Sequence, residues 1–204
     1  MLRVPFTDLQ DLPVAVAAVK EALVAHGVIA LPTESFYGLA VAPRDPAGVA
    51  RVFTAKGRPE SQALLVVGAA LEQLEELVVL VEPWRDRLAK VWPAPLTVVL
   101  PAREPLPGAG ETVAVRVPAH MLLRALLSRV GPLTATSANL SGRGGLAEPD
   151  AVAAALGEHL FLLLDGGRTA GDLASTLIDA TCEPPRLLRR GAFEAPAAWR
   201  VTIA

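Results

Sequence analysis

Strand-like and helix-like segments alternate along this 204-residue chain, which predicts an α/β or mixed α+β layer fold. Three observations carry that expectation. Short apolar runs end at proline, glycine or small polar residues. Between them lie stretches with apolar residues at helical spacing, opened by Asp-Pro or Glu-Pro and closed by glycine. Hydrophobic residues make up 52% of the chain and charged ones 20%, ample for a core and too apolar for disorder. At ~100–200 residues per domain, the length predicts one domain over 1–204. No linker divides it.

The elements follow in order. Leu12 to His26 reads as a helix through Leu12, Val16, Val19 and Leu23, stopped by Gly27. Val28 to Leu31 is a short strand ending at Pro32. Asp45-Pro46 opens a helix, since Asp caps and Pro fits the first turn. Val49, Val52, Phe53 and Lys56 share its stripe, and Gly57 ends it. Ala63 to Val67 is a buried strand; Leu71 to Leu80 and Pro83 to Val91 are helices. Leu96 to Leu100 is a strand, and the Pro/Gly-rich stretch from Pro101 to Gly110 a loop. Val113 to Val117 alternates as a strand, with Arg116 on the face opposite the valines. Ala119 to Val130 is a Leu-rich helix closed by Gly131. Leu133 to Thr136 is a strand leading into the polar loop Ser137 to Gly142. Glu148-Pro149-Asp150 opens a helix to Leu156. Phe161 to Leu164, Thr176 to Ala180 and Arg186 to Arg189 are the last strands. The Pro-rich tail after Ala195 predicts poor order.

Composition narrows the function classes. Twenty-one acidic and nineteen basic residues give a net charge of −2, which argues against a dedicated nucleic-acid binder. Aromatics at 4% are too few for a single-strand stacking platform. No apolar run approaches ~18 residues, and Asp8, Asp11, Lys20 and Glu21 break up the N-terminus. Cys182 is the single cysteine, so neither an internal disulfide nor a cysteine zinc site can form. These features describe a soluble protein of a reducing, cytoplasmic compartment. Its sixteen arginines against three lysines suit a GC-rich genome and are not themselves a functional signal.

Small polar and basic residues stand where strands and helices end. They are Thr33, Lys56 with Arg58, Ser137 and Asn139, Ser175, and Arg189. In α/β sheets ligands bind outside strand ends. Such groups suit an anionic ligand with several oxygens, Arg giving bidentate contacts, Lys a point charge and hydroxyls short donors. Each also has a plainer reading. Thr33 could cap a turn, Lys56 could complement a helix dipole, and Arg116 could point to solvent. Ser137 and Asn139 are ordinary loop formers, and Arg189 could guard a sheet edge. Only the set as a whole carries weight. The phosphate loop G-x-x-x-x-G-K-S/T is absent, as are G-x-S-x-G, S-x-x-K and H-E-x-x-H. His26, His120 and His159 are far apart in sequence, and His26 beside Gly27 reads as a helix C-terminal residue. Gly142-Arg143-Gly144-Gly145-Leu146-Ala147 fits a dinucleotide fingerprint, but Ser137 to Ser141 separate it from its strand.

Seven segments resemble the YrdC/TsaC family, the threonylcarbamoyl-adenylate synthases. Pro32-Thr33-Glu34-Ser35-Phe36-Tyr37-Gly38-Leu39 is similar to P-T-D/E-T/S-x-Y-G-L. Lys56-Gly57-Arg58-Pro59 is similar to K-x-R-P, and Trp92-Pro93-Ala94-Pro95-Leu96-Thr97 to W-P-G-P-L-T. Val115-Arg116-Val117-Pro118 resembles V-R-x-P, and Thr136 to Gly142 resembles T-S-A-N-x-S-G. Ser175-Thr176-Leu177-Ile178-Asp179 and Leu188-Arg189-Arg190-Gly191-Ala192 complete the set, in family order from 32 to 192. The chain departs from the pattern at Gln62-Ala63, where the family often has Asn-Pro. It also departs at Ala94, at Val67, and in the Gly-Arg-Gly-Gly stretch after Ser141.

The resemblance implies a twisted mixed, mostly parallel sheet with flanking helices and a deep basic cavity, in the family's short form. It implies that L-threonine, bicarbonate and ATP yield threonylcarbamoyl-AMP and pyrophosphate. The adenylate would pass to the enzymes that build threonylcarbamoyladenosine in tRNA. Lys56, Arg58, Ser137, Asn139 and Arg189 would bind ATP, with Lys56 and Arg58 catalytic. Thr33, Arg116 and Ser175 would position threonine, and Mg²⁺ would arrive with ATP. Two other readings stand beside it. One is a non-catalytic binder of double-stranded RNA or tRNA. The other is a carbamoyl-adenylating domain like that of hydrogenase-maturation proteins.

Overall fold

The structure, a computed structural model, describes residues 1–57, 64–139, 144–171 and 173–203. In chain order the described residues form β1 (Leu2–Pro5), α1 (Leu12–Val24), β2 (Val28–Pro32), β3 (Tyr37–Ala40), α2 (Pro46–Lys56) and β4 (Leu65–Val67). Next come α3 (Leu71–Glu75), α4 (Trp84–Val91), β5 (Leu96–Leu106), β6 (Gly110–Arg116), α5 (Met121–Val130), β7 (Leu133–Thr134) and β8 (Thr136–Ser137). The last are α6 (Pro149–Leu156), β9 (Leu160–Asp165), β10 (Thr176–Asp179), β11 (Arg186–Arg189) and β12 (Thr202–Ile203). The mixed α/β class is as expected. The strands divide into two sheets, ordered β1-β9-β2-β3-β8 and β12-β11-β10-β5-β6-β4-β7. Parallel and antiparallel ladders are evenly represented among the described residues, five of each.

The five-stranded sheet is packed on both faces, which explains why β2 is apolar throughout. Ile29 and Leu31 point into a core shared with α1 and α5. Val28 and Ala30 point the other way, toward α2 and α6. A separate core holds the seven-stranded sheet against α4 and Trp199. Trp199 lies in the segment after Ala195, where a short 3₁₀ turn precedes β12.

Several boundaries differ from the sequence reading, and four of the differences have a tertiary cause. Of the loop expected at Pro101 to Gly110, residues 107–109 are a turn, while Pro101 to Leu106 is the outer half of β5 and Gly110 opens β6. The helix expected at Leu71 to Leu80 stops at Glu75. One interaction explains both: residues 77–79 leave the helix and pair with 101–103, through Val79 N to Pro101 O and Arg103 N to Leu77 O, each 2.9 Å. The strand expected over Leu133 to Thr136 breaks at Ala135, and its halves join different sheets. α1 ends at Val24, and His26, not Gly27, takes the left-handed conformation, with φ of 52°. Gly27 is there for closeness, since a Cβ would lie 2.5 Å from the Phe161 Cβ.

Candidate functional site

The site's polar residues come from both sheets. Thr33 sits in the tight connection between β2 and β3, whose register pairs Pro32 with Tyr37. Its hydroxyl donates to Phe36 O at 2.7 Å and accepts from Ser35 N at 3.2 Å, so the turn is held by the residue that opens it. Lys56 is the last residue of α2. That helix starts at Asp45, whose carboxylate accepts from Ala47 N, and stops at Gly57, with φ of 56°. Ser137 ends β8. On the other sheet, Arg116 ends β6, Ser175 precedes β10, and Arg189 ends β11.

A cavity of about 280 Å³ lies between these elements. Thr33, Arg116, Ser137, Ser175 and Arg189 all line it. Five of the sequence-predicted residues are therefore brought together at one cavity. Thr97, Ser35 and Tyr37 also line it and were not singled out as site residues. Thr97 could have been found by strand register, because β5 pairs with β10 beside Ser175. Its hydroxyl is 2.8 Å from that of Ser175. Arg189 donates to Ser175 O at 3.1 and 2.9 Å and to Ser175 Oγ at 3.1 Å, and it is exposed, so it stands at the open side. Tyr37 is sealed by Gly166 N and Gly167 O around its hydroxyl, and burial pushes its pKa up to about 12.

Lys56 and Asn139 stand behind Ser137. The Lys56 ammonium donates to Ser137 O, to Asn139 O at 3.0 Å and to Asn139 Oδ1 at 2.9 Å. Ser137 Oγ donates to the same Oδ1 at 2.6 Å. Two of the predicted ATP-site residues are thus arranged by a third, which is 3% exposed. Arg58 and Gln62 lie outside the described residues, as do Leu140, Ser141, and Gly142 and Arg143 of the fingerprint-like segment.

Arg116 meets its surroundings differently. It is 4% exposed and its Nη1 lies 3.1 Å from Glu34 Oε1. Yet Arg116 Nε and both Glu34 oxygens are buried without a hydrogen-bond partner. The two groups are in ionic contact without aligned hydrogen bonds. Burial holds the Arg116 pKa below its ordinary value, Glu34 opposes that shift, and the like charge of Arg189 adds to it. Two guanidiniums facing a small cavity, with hydroxyls between them, can hold a carboxylate or phosphate oxygens. Among the described residues no three His, Cys, Asp or Glu side chains gather to hold a metal ion. No helix among them is long and apolar enough to cross a membrane.

Comparisons with known proteins agree on one family. The family model Sua5_yciO_yrdC, described as telomere recombination, matches residues 21–191. A Pyrococcus abyssi protein named threonylcarbamoyl-AMP synthase is 41% identical over 170 residues, covering 80% of this chain and 50% of that protein. A Bacillus subtilis protein of the same name is 37% identical over 171 residues, covering 80% of this chain and 49% of that one. The chain spans about half the length of these curated relatives. The crystal structure of P. abyssi Sua5 complexed with L-threonine matches 100% of this chain and 63% of its own, with a TM-score of 0.88 and 34% identity.

Proposed function

The chain belongs to the Sua5/YciO/YrdC family, and on that premise we propose that it is a threonylcarbamoyl-AMP synthase, a nucleotidyltransferase serving tRNA modification in the cytoplasm. The supporting observation is the cavity that Arg116 and Arg189 share with the Thr33, Thr97, Ser137 and Ser175 hydroxyls. A protein of 34% identity and the same fold carries L-threonine in its crystal structure.

In this reading threonine's free amine attacks carbon dioxide and gives a carbamate with release of a proton, or attacks bicarbonate and gives the same carbamate with release of water. A carbamate oxygen then attacks the α-phosphorus of ATP, and pyrophosphate leaves. Both reactants are anionic, so the site must offset their repulsion, and fixed positive charge in a water-poor cavity does so. Arg116 would pair with the threonine carboxylate, with Thr33 and Ser175 completing the threonine site. Arg189, Ser137, Asn139 and Arg58 would take the triphosphate. Lys56 would work from behind, fixing the 137–139 backbone and adding its charge. Positioning and electrostatics would carry the rate, as in other phosphoryl transfers. Mg²⁺ would enter on the phosphate oxygens of ATP, held by them and by water. The adenylate would then be consumed by an enzyme that transfers the threonylcarbamoyl group to tRNA.

The test incubates the protein with L-threonine, bicarbonate and Mg²⁺-ATP. Threonine-dependent pyrophosphate and an adenylate of the expected mass support the reading. Folded protein that releases neither, or that needs carbamoyl phosphate in place of threonine and bicarbonate, overturns it.

A further inference from the structure

Glu34 has no part in the reading above, and its surroundings are unusual. It sits in the β2–β3 turn with a side chain 16% exposed. Both carboxylate oxygens are shut off from solvent, and neither accepts a hydrogen bond. A carboxylate kept for structure alone normally accepts several, because an unpaired buried polar group is costly. What it does have is Arg116 at 3.1 Å. It also acts on His120, whose pKa is lowered by burial while Glu34's charge opposes the shift. Glu34 is not among the cavity's lining residues, whereas Arg116 is. Any effect on a ligand therefore runs through the position of Arg116 and through the field.

We infer that Glu34 is a positioning and charge-balancing residue that, acting through Arg116, makes this cavity select a zwitterionic amino acid over a carboxylic acid lacking the amine. The inference rests on the synthase reading and deepens it. Arg116 and Arg189 bring two positive charges to one end of the cavity. A carboxylate is welcome there, but an α-ammonium on the adjacent carbon is repelled by both. One buried negative charge behind Arg116 cancels half of that repulsion and leaves a single net positive charge to hold the carboxylate. It also supplies the second fixed point that a guanidinium with an unpartnered Nε otherwise lacks. Removing the charge penalises the ammonium and favours the bare anion.

The experiment is a calorimetric titration of the full chain with L-threonine and with (R)-3-hydroxybutyrate, the same skeleton without the amine. Wild type, Glu34→Gln and Glu34→Asp are compared. Wild type is expected to prefer threonine. Glu34→Gln is expected to lower the preference for threonine over the hydroxy acid by about tenfold or more, the size of one nearby unit charge at an effective dielectric constant of ~20. Glu34→Asp, which keeps the charge, is expected to keep most of the preference. If Glu34→Gln does not fold, Glu34→Asp decides alone: preference retained supports the inference, preference lost overturns it. A folded Glu34→Gln that weakens both ligands alike, or neither, overturns this inference alone. Wild type that binds neither ligand overturns the synthase reading as well.

Discussion

Lys56 and Arg116 are almost equally buried, at 3% and 4% exposure, and both were expected to bind ligand. Lys56 directs its ammonium at two main-chain carbonyls and one amide oxygen of residues 137 and 139. Arg116 has an ionic neighbour in Glu34 but an Nε with no partner, and it faces the cavity. The first cation builds backbone, while the second keeps binding capacity for something not part of the chain. A buried positive charge is thus not one kind of evidence: what accepts its protons separates a structural cation from a ligand-binding one.

The comparison breaks most visibly on stability. Lys56→Met takes the ammonium from two carbonyls and an amide oxygen, of which Ser137 O keeps Asn139 N and Asn139 Oδ1 keeps Ser137 Oγ as donors, and should cost about 1–3 kcal/mol, the range for removing one partner of a buried hydrogen-bonded group. A lowered urea midpoint with unchanged slope is the expected reading. Arg116→Met combined with Glu34→Gln should do the reverse. It removes both charges of a poorly aligned pair, so stability should stay within about 1 kcal/mol of wild type. Threonine binding, followed by calorimetry, should fall by about 100-fold or more, in line with a lost charge-assisted bidentate contact. A Lys56→Met protein as stable as wild type, or a double variant that still binds, would erase the distinction.

A third change tests the Arg116 end without touching a charge. Gly191 follows Arg189 and Arg190, and a Cβ there would lie 2.2 Å from Ala174 O and 2.5 Å from Ser175 C. That is main chain, so the neighbour cannot give way cheaply. Gly191→Ala should cost about 1–3 kcal/mol, the usual size of an overpacked contact. It should also weaken threonine binding, because Ser175 and the Arg189 bonds to it are what move. A variant with lowered stability but unchanged binding would uncouple this glycine from the site.

Much of this arrangement was legible in the chain. Lys56 of the K-x-R segment does meet Ser137 and Asn139 of the S-x-N segment, more than eighty residues on. Arg116 and Arg189 do share a hollow with Thr33 and Ser175. Other features left no local trace. The division into two sheets depends on Ala135, an ordinary residue between two threonines, where the chain crosses from one sheet to the other. Pro101 carries a strong loop signal, overridden because residues 77–79 offer it a partner strand. Glu34 is visible in its motif, but its pairing with Arg116 spans the two sheets and is set only when they pack. Local patterns reach as far as turns, caps and stripes; a contact between sheets is fixed by the whole fold.

The smallest effect concerns the residue on the other side of Glu34. His120 caps α5, its Nδ1 accepting from Leu123 N at 3.1 Å, and its ring stacks on Phe6. The cap requires the unprotonated ring nitrogen, and burial lowers the His120 pKa from its ordinary value. A group depressed in the folded state contributes stability that is complete above its unfolded pKa, about 6.5, and is lost as pH falls, because the unfolded chain takes up the proton first. Glu34 works against the shift, so the effect should be modest, under about 1 kcal/mol between pH 7 and 5. His120→Asn keeps a capping oxygen and removes the titration. The urea midpoint of wild type should therefore fall more between pH 7 and pH 5 than that of His120→Asn. Adding Glu34→Gln to the wild-type His120 background should steepen the pH dependence, since the opposing charge is gone. If it leaves that slope unchanged, Glu34 acts on Arg116 alone, and the charge balance at this end of the cavity is simpler than three groups.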